Sequence, residues 1–142
     1  MDAYPEKLHT LAEELCAYDE DTRFDLLIEY AERFAQVPPE IALRPFSEAN
    51  RVPACESEAY IWVRELPSGG LKYYFAVENP QGISAKALAV ILDDSITGKQ
   101  PESIANIPED IVYKLFGRTL SMGKGQGLMN MVQRVKALAS IS

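Results

Sequence analysis

Apolar residues Tyr4, Leu8, Leu11, Ala12 and Leu15 recur at helical spacing and predict a helix over about 5–17. Pro5 suits its first turn. Cys16 falls near its end and is expected to be a small buried hydrophobe, the usual state of a free cysteine. Tyr18-Asp19-Glu20-Asp21 is a polar break, and Asp21 or Thr22 can cap the next helix. Leu27, Ile28, Ala31, Phe34 and Ala35 then mark the inner face of a helix over about 22–36, with Glu29, Glu32 and Arg33 on its solvated side. Pro38-Pro39 stops it.

The period is then lost. Residues 38–56 carry prolines at 38, 39, 45 and 53 and read as a long, stiff connection. Connections of this length in a small domain tend to be functional or disordered. From Ser57 to Glu65 the pattern alternates: Ala59, Ile61 and Val63 on one side, Tyr60, Trp62 and Arg64 on the other. That is a strand. Pro67-Ser68-Gly69-Gly70 is a turn, and 71–78 is a second alternating strand, so the two form a hairpin with Trp62 and the tyrosines in its core. After Asn79-Pro80-Gln81-Gly82, Ser84 can cap a buried helix running to about Asp94. Pro101 opens a short helix through Ala105, and Pro108 opens another ending at Gly117 as its C′ residue. A last helix over about 124–140 turns Leu128, Met131, Val132, Val135 and Leu138 inward. The predicted architecture is α+β: a small antiparallel sheet of two to three strands packed against helices on one face, with helices at both ends, in one domain over 1–142.

Composition narrows the chemistry. A formal charge of −7 opposes binding to a phosphate backbone, so no nucleic-acid role is expected, and the tyrosines and Trp62 read as packing. No apolar run approaches the roughly 20 residues that span a bilayer, and the acidic start of the chain has no signal-like apolar stretch. The expected location is the cytoplasm, or an organelle stroma if the chain comes from a processed precursor. Two cysteines and one histidine form neither a disulfide framework nor a zinc site, so no metal is expected. Gly123-Lys124-Gly125-Gln126-Gly127 lacks the strand and the spacing of a nucleotide cradle. It reads as a flexible basic turn entering the last helix, whose N–H groups and Lys124 can attract an anion. His9 reads as a surface residue, and no acid–base pair stands out. Cys55 differs: it lies in a proline-bearing loop with no bulky residue just before it, and exposure favours thiol reactivity. Local charge is mixed, Arg51 against Glu56 and Glu58. The residues alone leave two readings open, a functional thiol or an ordinary loop cysteine.

The stretch Val52-Pro53-Ala54-Cys55-Glu56-Ser57-Glu58-Ala59-Tyr60-Ile61 is similar to V-x-G-C-x-S-x-V-W-L of the SufE family, sulfur acceptors of iron–sulfur cluster assembly. Leu120-Ser121 through Gly127-Leu128 resembles that family's L-S-P-S-R-x-N/Q-G-L. Residues 83–92 resemble its helix with a K-G-L step, and Thr97-Gly98-Lys99-Gln100-Pro101-Glu102-Ser103-Ile104 resembles S-G-x-T-P-x-E-I. The matches are in register along nearly the whole chain. The resemblance implies that Cys55 takes persulfide sulfur from a PLP-dependent cysteine desulfurase, stimulates it, and passes the sulfur to an iron–sulfur scaffold complex. The chain would then be an accessory sulfurtransferase and activator rather than a stand-alone enzyme, a monomer or weak homodimer. It would bind no cofactor itself, the PLP residing in the desulfurase. Arg51, Glu56, Lys124 and Gln126 are expected at the partner contact, and Val52 and Ile61 are expected to shelter the thiol between encounters. The chain departs from the pattern at Ala54, where the family has glycine and a left-handed backbone would be strained, and at Tyr60, which replaces tryptophan. Lys124 stands for arginine and loses its planar fork. Met122-Gly123 replaces Pro-Ser. A thiol-based redox-responsive protein and a plain interaction module are the alternative readings.

Overall fold

The computed structural model describes residues 3–118 and 120–140. The two ends of the expected 1–142 domain, including Met1-Asp2 of the acidic start, lie outside the described residues. Helix α1 (Glu6–Ala17) turns Leu8, Ala12 and Leu15 into the core. Position 16 falls off that stripe, so Cys16 is exposed rather than buried. Helix α2 (Glu20–Glu32) begins two residues before its expected start, because Asp19 is the cap: its carboxylate accepts from the Thr22 N–H at 3.1 Å. It also stops short of residue 36. The segment after it is drawn onto the sheet, where the Val37 N–H donates to the Phe75 carbonyl at 2.9 Å and the Gln36 side chain accepts from the Val77 N–H. Two outward-facing groups of a strand outweigh one more helical turn.

Strands β1 (Ala59–Glu65) and β2 (Leu71–Val77) pair antiparallel, from Ala59 opposite Val77 to Glu65 opposite Leu71. Alternation sorts their side chains. Ala59, Ile61, Leu71, Tyr73, Phe75 and Val77 join the main core with the helices. Tyr60, Trp62 and Ala76 face the other way, into a second cluster with Val37, against which Ile41, Ala42 and Phe46 pack. The connection over 38–56 is therefore folded: it covers the sheet face that no helix covers. The Phe46 ring lies 5.3 Å from Tyr60 and 5.2 Å from Trp62. The Arg44 guanidinium ties the same segment to Glu78 at 2.9 Å. Tyr73, in contrast, belongs to the helix side, where its hydroxyl donates to the Val135 carbonyl at 2.7 Å. No third strand forms among the described residues; a single antiparallel pairing of Arg51 with Tyr60 extends β1 toward the loop.

Helix α3 (Ile83–Ile96) is the central element, buried along most of its length and packed against α2, β2 and α1. It starts after Gly82 rather than at a Ser84 cap and runs two residues past Asp94. The short α4 (Pro101–Ala105) follows, then α5 (Ile111–Phe116), which ends on Gly117 at φ +97°, a left-handed stop. Helix α6 (Met122–Ser140) closes the core with Leu128, Met131, Val132, Val135 and Leu138. It begins earlier than 124, so the glycine-rich stretch is helical and not a flexible turn. The Ser121 hydroxyl accepts from the Lys124 N–H at 3.2 Å and caps it. Gly125 and Gly127 are buried, one against the Tyr113 ring and the other against the Cys55 backbone. They serve close approach of the helix, which offsets their poor helix propensity.

Candidate functional site

Residues 53–58 form a loop closed at its base. The Val52 N–H donates to the Ala59 carbonyl at 2.8 Å, beside the Arg51–Tyr60 pairing. Inside the loop the Glu58 N–H bonds back to the Cys55 carbonyl at 3.0 Å. Two non-glycine residues hold left-handed backbone, Ala54 at φ +52° and Glu58 at φ +54°. The replacement of glycine by alanine before the cysteine thus falls at a position where the backbone is left-handed. Such a conformation costs a residue with a Cβ about 1–2 kcal/mol.

The loop folds inward. Cys55 is only 7% exposed and belongs to the main core, together with Val52 and Ile61, both fully buried. The loop lies on the surface, but its cysteine points beneath it: the open thiol that the loop position alone suggested is not seen, and the shelter by Val52 and Ile61 that the family resemblance implied is. The closest cover comes from α6, where the missing side chain of Gly127 lets the helix approach Cys55. Beside the thiol lies a cavity of about 60 Å³, lined by Cys55, Ser57, Gly82, Lys124, Gly127 and Leu128 among others.

The expected partner residues divide into three groups. Glu56 and Lys124 line this cavity and are exposed, placing opposite charges at its mouth. Gln126 is exposed two residues further along α6 and donates its amide to the Asn130 side chain at 2.8 Å. Arg51 is apart from them, at the loop base, where it pairs with Glu48 at 3.8 Å and lies 6.0 Å from the centre of the Tyr60 ring. His9 is exposed and shares a 2.9 Å hydrogen bond with the Tyr4 hydroxyl. Cys16 lines a separate hollow with Tyr113 and Arg118.

Sequence reasoning missed several neighbours of the thiol. Asn130 donates to the Pro53 carbonyl at 2.8 Å and Asn79 to the Glu56 carbonyl at 3.1 Å. The only sequence trace of the first is a polar Gln126–Asn130 pair at helical i, i+4 spacing. Also missed was a groove of about 390 Å³ that shares Ser84 and Lys124 with the cysteine cavity. It is lined by Phe24 and Ile83, which are 59% and 46% exposed. Phe24 interrupts the otherwise polar face of α2, and that was the available signal.

The arrangement offers one sheltered thiol, a small void beside it, and charges at the mouth. Among the described residues no group of three or more His, Cys, Asp or Glu gathers to hold a metal ion, and no helix is long and apolar enough to cross a membrane. Among solved structures, the chain is similar to the solution structure of a hypothetical protein from Thermus thermophilus. The TM-score is 0.74 with 23% identity, covering 97% of this chain and 96% of that one, and the likeness is one of fold. A comparison with curated proteins found no match. Residues 9–139 match the profile of SufE, described as an Fe-S metabolism associated domain, and the chain belongs to that family.

Proposed function

We propose that Cys55 is a persulfide carrier, receiving sulfur from a PLP-dependent cysteine desulfurase and delivering it to an iron–sulfur scaffold complex. The observation that carries this reading is the cavity of about 60 Å³ beside an otherwise enclosed thiol. A cavity of about 10–15 Å³ already holds a water molecule, so the void has room for one more sulfur atom. In the transfer step the Cys55 thiolate attacks the outer sulfur of the desulfurase persulfide. The bond between that sulfur and the desulfurase cysteine breaks, and the desulfurase thiolate leaves. A persulfide forms on Cys55, with no net oxidation and no further reagent, by the logic of thiol–disulfide exchange. Desulfurase PLP supplies the C–S cleavage that precedes this step; the present chain supplies the acceptor and its shelter.

Shelter is what a persulfide needs, since an open one would oxidise. The same burial weighs against the redox-sensor reading, because sensor thiols are accessible. The groove with exposed Phe24 and Ile83 continues the surface around the cavity mouth, and a desulfurase offering an apolar rim would cover both. The test is mass spectrometry after incubation with a cysteine desulfurase and cysteine. The expected result is an adduct of about 32 Da, one sulfur atom, on the peptide carrying Cys55, together with faster sulfide release by the desulfurase. Undiminished stimulation by Cys55→Ser would overturn the reading and favour a plain interaction module.

A further inference from the structure

Cys55 has to leave its cavity before any partner sulfur can meet it, so whatever holds its loop closed governs access. Two side chains from outside the loop grip its backbone on either side of the cysteine. Asn130 of α6 donates to the Pro53 carbonyl at 2.8 Å, and Asn79 donates to the Glu56 carbonyl at 3.1 Å. The orientation of Asn130 follows from its partners. A carbonyl only accepts, so Asn130 presents its NH₂ to Pro53 and leaves its own oxygen to accept from Gln126 at 2.8 Å. Gln126 thereby holds the Asn130 amide in line. Opposing this grip, Ala54 and Glu58 within the same segment both sit at positive φ, a conformation that residues with a Cβ adopt reluctantly. The closed loop is thus hydrogen-bonded from outside and strained from inside, the makings of two alternative states.

We infer that Asn130, oriented by Gln126 and seconded by Asn79, is a positioning residue that sets how often the Cys55 loop opens. It acts on the thiol through the Pro53 carbonyl. Its consequence for sulfur transfer rests on the carrier reading, but its measurement needs no desulfurase, so either idea can fail alone.

The test is the rate at which an aromatic disulfide reagent labels Cys55 in a Cys16→Ser background, read at rising urea concentrations. Asn130→Ala is expected to label about fivefold faster, the factor lost with one hydrogen bond of ordinary net strength. Local opening exposes little surface, so that increase is nearly independent of urea at low concentration. Asn130→Asp keeps the shape but presents only acceptors to the Pro53 carbonyl, and is expected to match or exceed Asn130→Ala. Gln126→Ala is expected to give a smaller acceleration, and Ala54→Gly a slower rate than the parent. Labelling of Asn130→Asp within twofold of the parent would overturn the inference. So would an acceleration in Asn130→Ala that carries the full urea dependence of global unfolding.

Discussion

Gly127 of α6 stands directly behind Cys55: a Cβ added there would lie 3.4 Å from the Cys55 Cα and from the Ala54 carbonyl oxygen, and 3.8 Å from the Cys55 Cβ. A methyl group fits at that range and nothing larger does. Gly127→Ala is therefore expected to keep the loop closed and to gain about 0.5–1 kcal/mol of stability, the ordinary advantage of alanine in a helix. Gly127→Val is expected to wedge the loop away from the helix and leave Cys55 open to alkylation. Thermal melting and iodoacetamide labelling of the two variants check both halves. Equal labelling of Gly127→Val and the parent would show that α6 is not the cover of the thiol.

Cys16 is the exposed cysteine, so it should be the first alkylated in the native protein. Cys16→Ser is expected to change stability by less than about 0.5 kcal/mol, as surface substitutions do, and to leave sulfur acceptance intact. Peptide mass mapping after a brief alkylation, with urea melts alongside, checks this. Loss of the sulfur adduct in Cys16→Ser would move the carrier assignment away from Cys55.

Burial raises the pKa of the Tyr73 hydroxyl well above its ordinary value of 10.0, and that hydroxyl donates to the Val135 carbonyl. The stability due to this group is fully present below the unfolded-state value and is lost as pH rises from there through the higher folded-state value. Tyr73→Phe should cost about 1–2 kcal/mol at neutral pH, the worth of a buried hydrogen bond with its acceptor left short. It should also flatten the fall in stability above pH 10.0. Urea midpoints measured at neutral and alkaline pH decide it, and an equally steep fall in parent and variant would count against this role for Tyr73.

Lys124 lines both the cysteine cavity and the neighbouring groove and is exposed. If the desulfurase rests there, Lys124→Glu should raise the concentration of this protein needed for half-maximal stimulation by several-fold. The maximal rate should be little changed, because a rim charge acts mainly on encounter. Added salt should shrink the difference, as screening requires. A lowered maximal rate with an unchanged half-point would place Lys124 in the transfer step instead.

The order and type of the helices and the hairpin were legible because each carries its own period and stops. Leu8–Ala12–Leu15 and the alternation through Ala59–Glu65 are local signals. What the sequence concealed was set by distant partners. The end of α2 depends on Phe75 and Val77 accepting and donating to residues 36 and 37. The glycines of 123–127 looked like a turn until α6 was seen to need bare backbone against Tyr113 and Cys55. Cys16 departed from its expected burial, and Cys55 from the exposure its loop position suggested, for the same reason. A helical position one step off the apolar stripe is open, while a loop can fold its tip into the core. The alanine before the cysteine did mark a left-handed residue. Asn79 and Asn130 had no local signature, since their roles exist only across the fold.

The closed base of the thiol loop works as a tether of fixed length. With Val52 and Ala59 bonded to each other, Cys55 is the third residue out from its anchor. Three residues of extended chain span about 10 Å. Cys55 can therefore stand no further than about 10 Å from Val52 while the sheet stays intact. If the proposed sulfur transfer takes place, the donor atom has to come within that reach of the loop base. The short chain between Val52 and Ala59 thus limits the reach of the thiol, and with it the depth of any site it could enter.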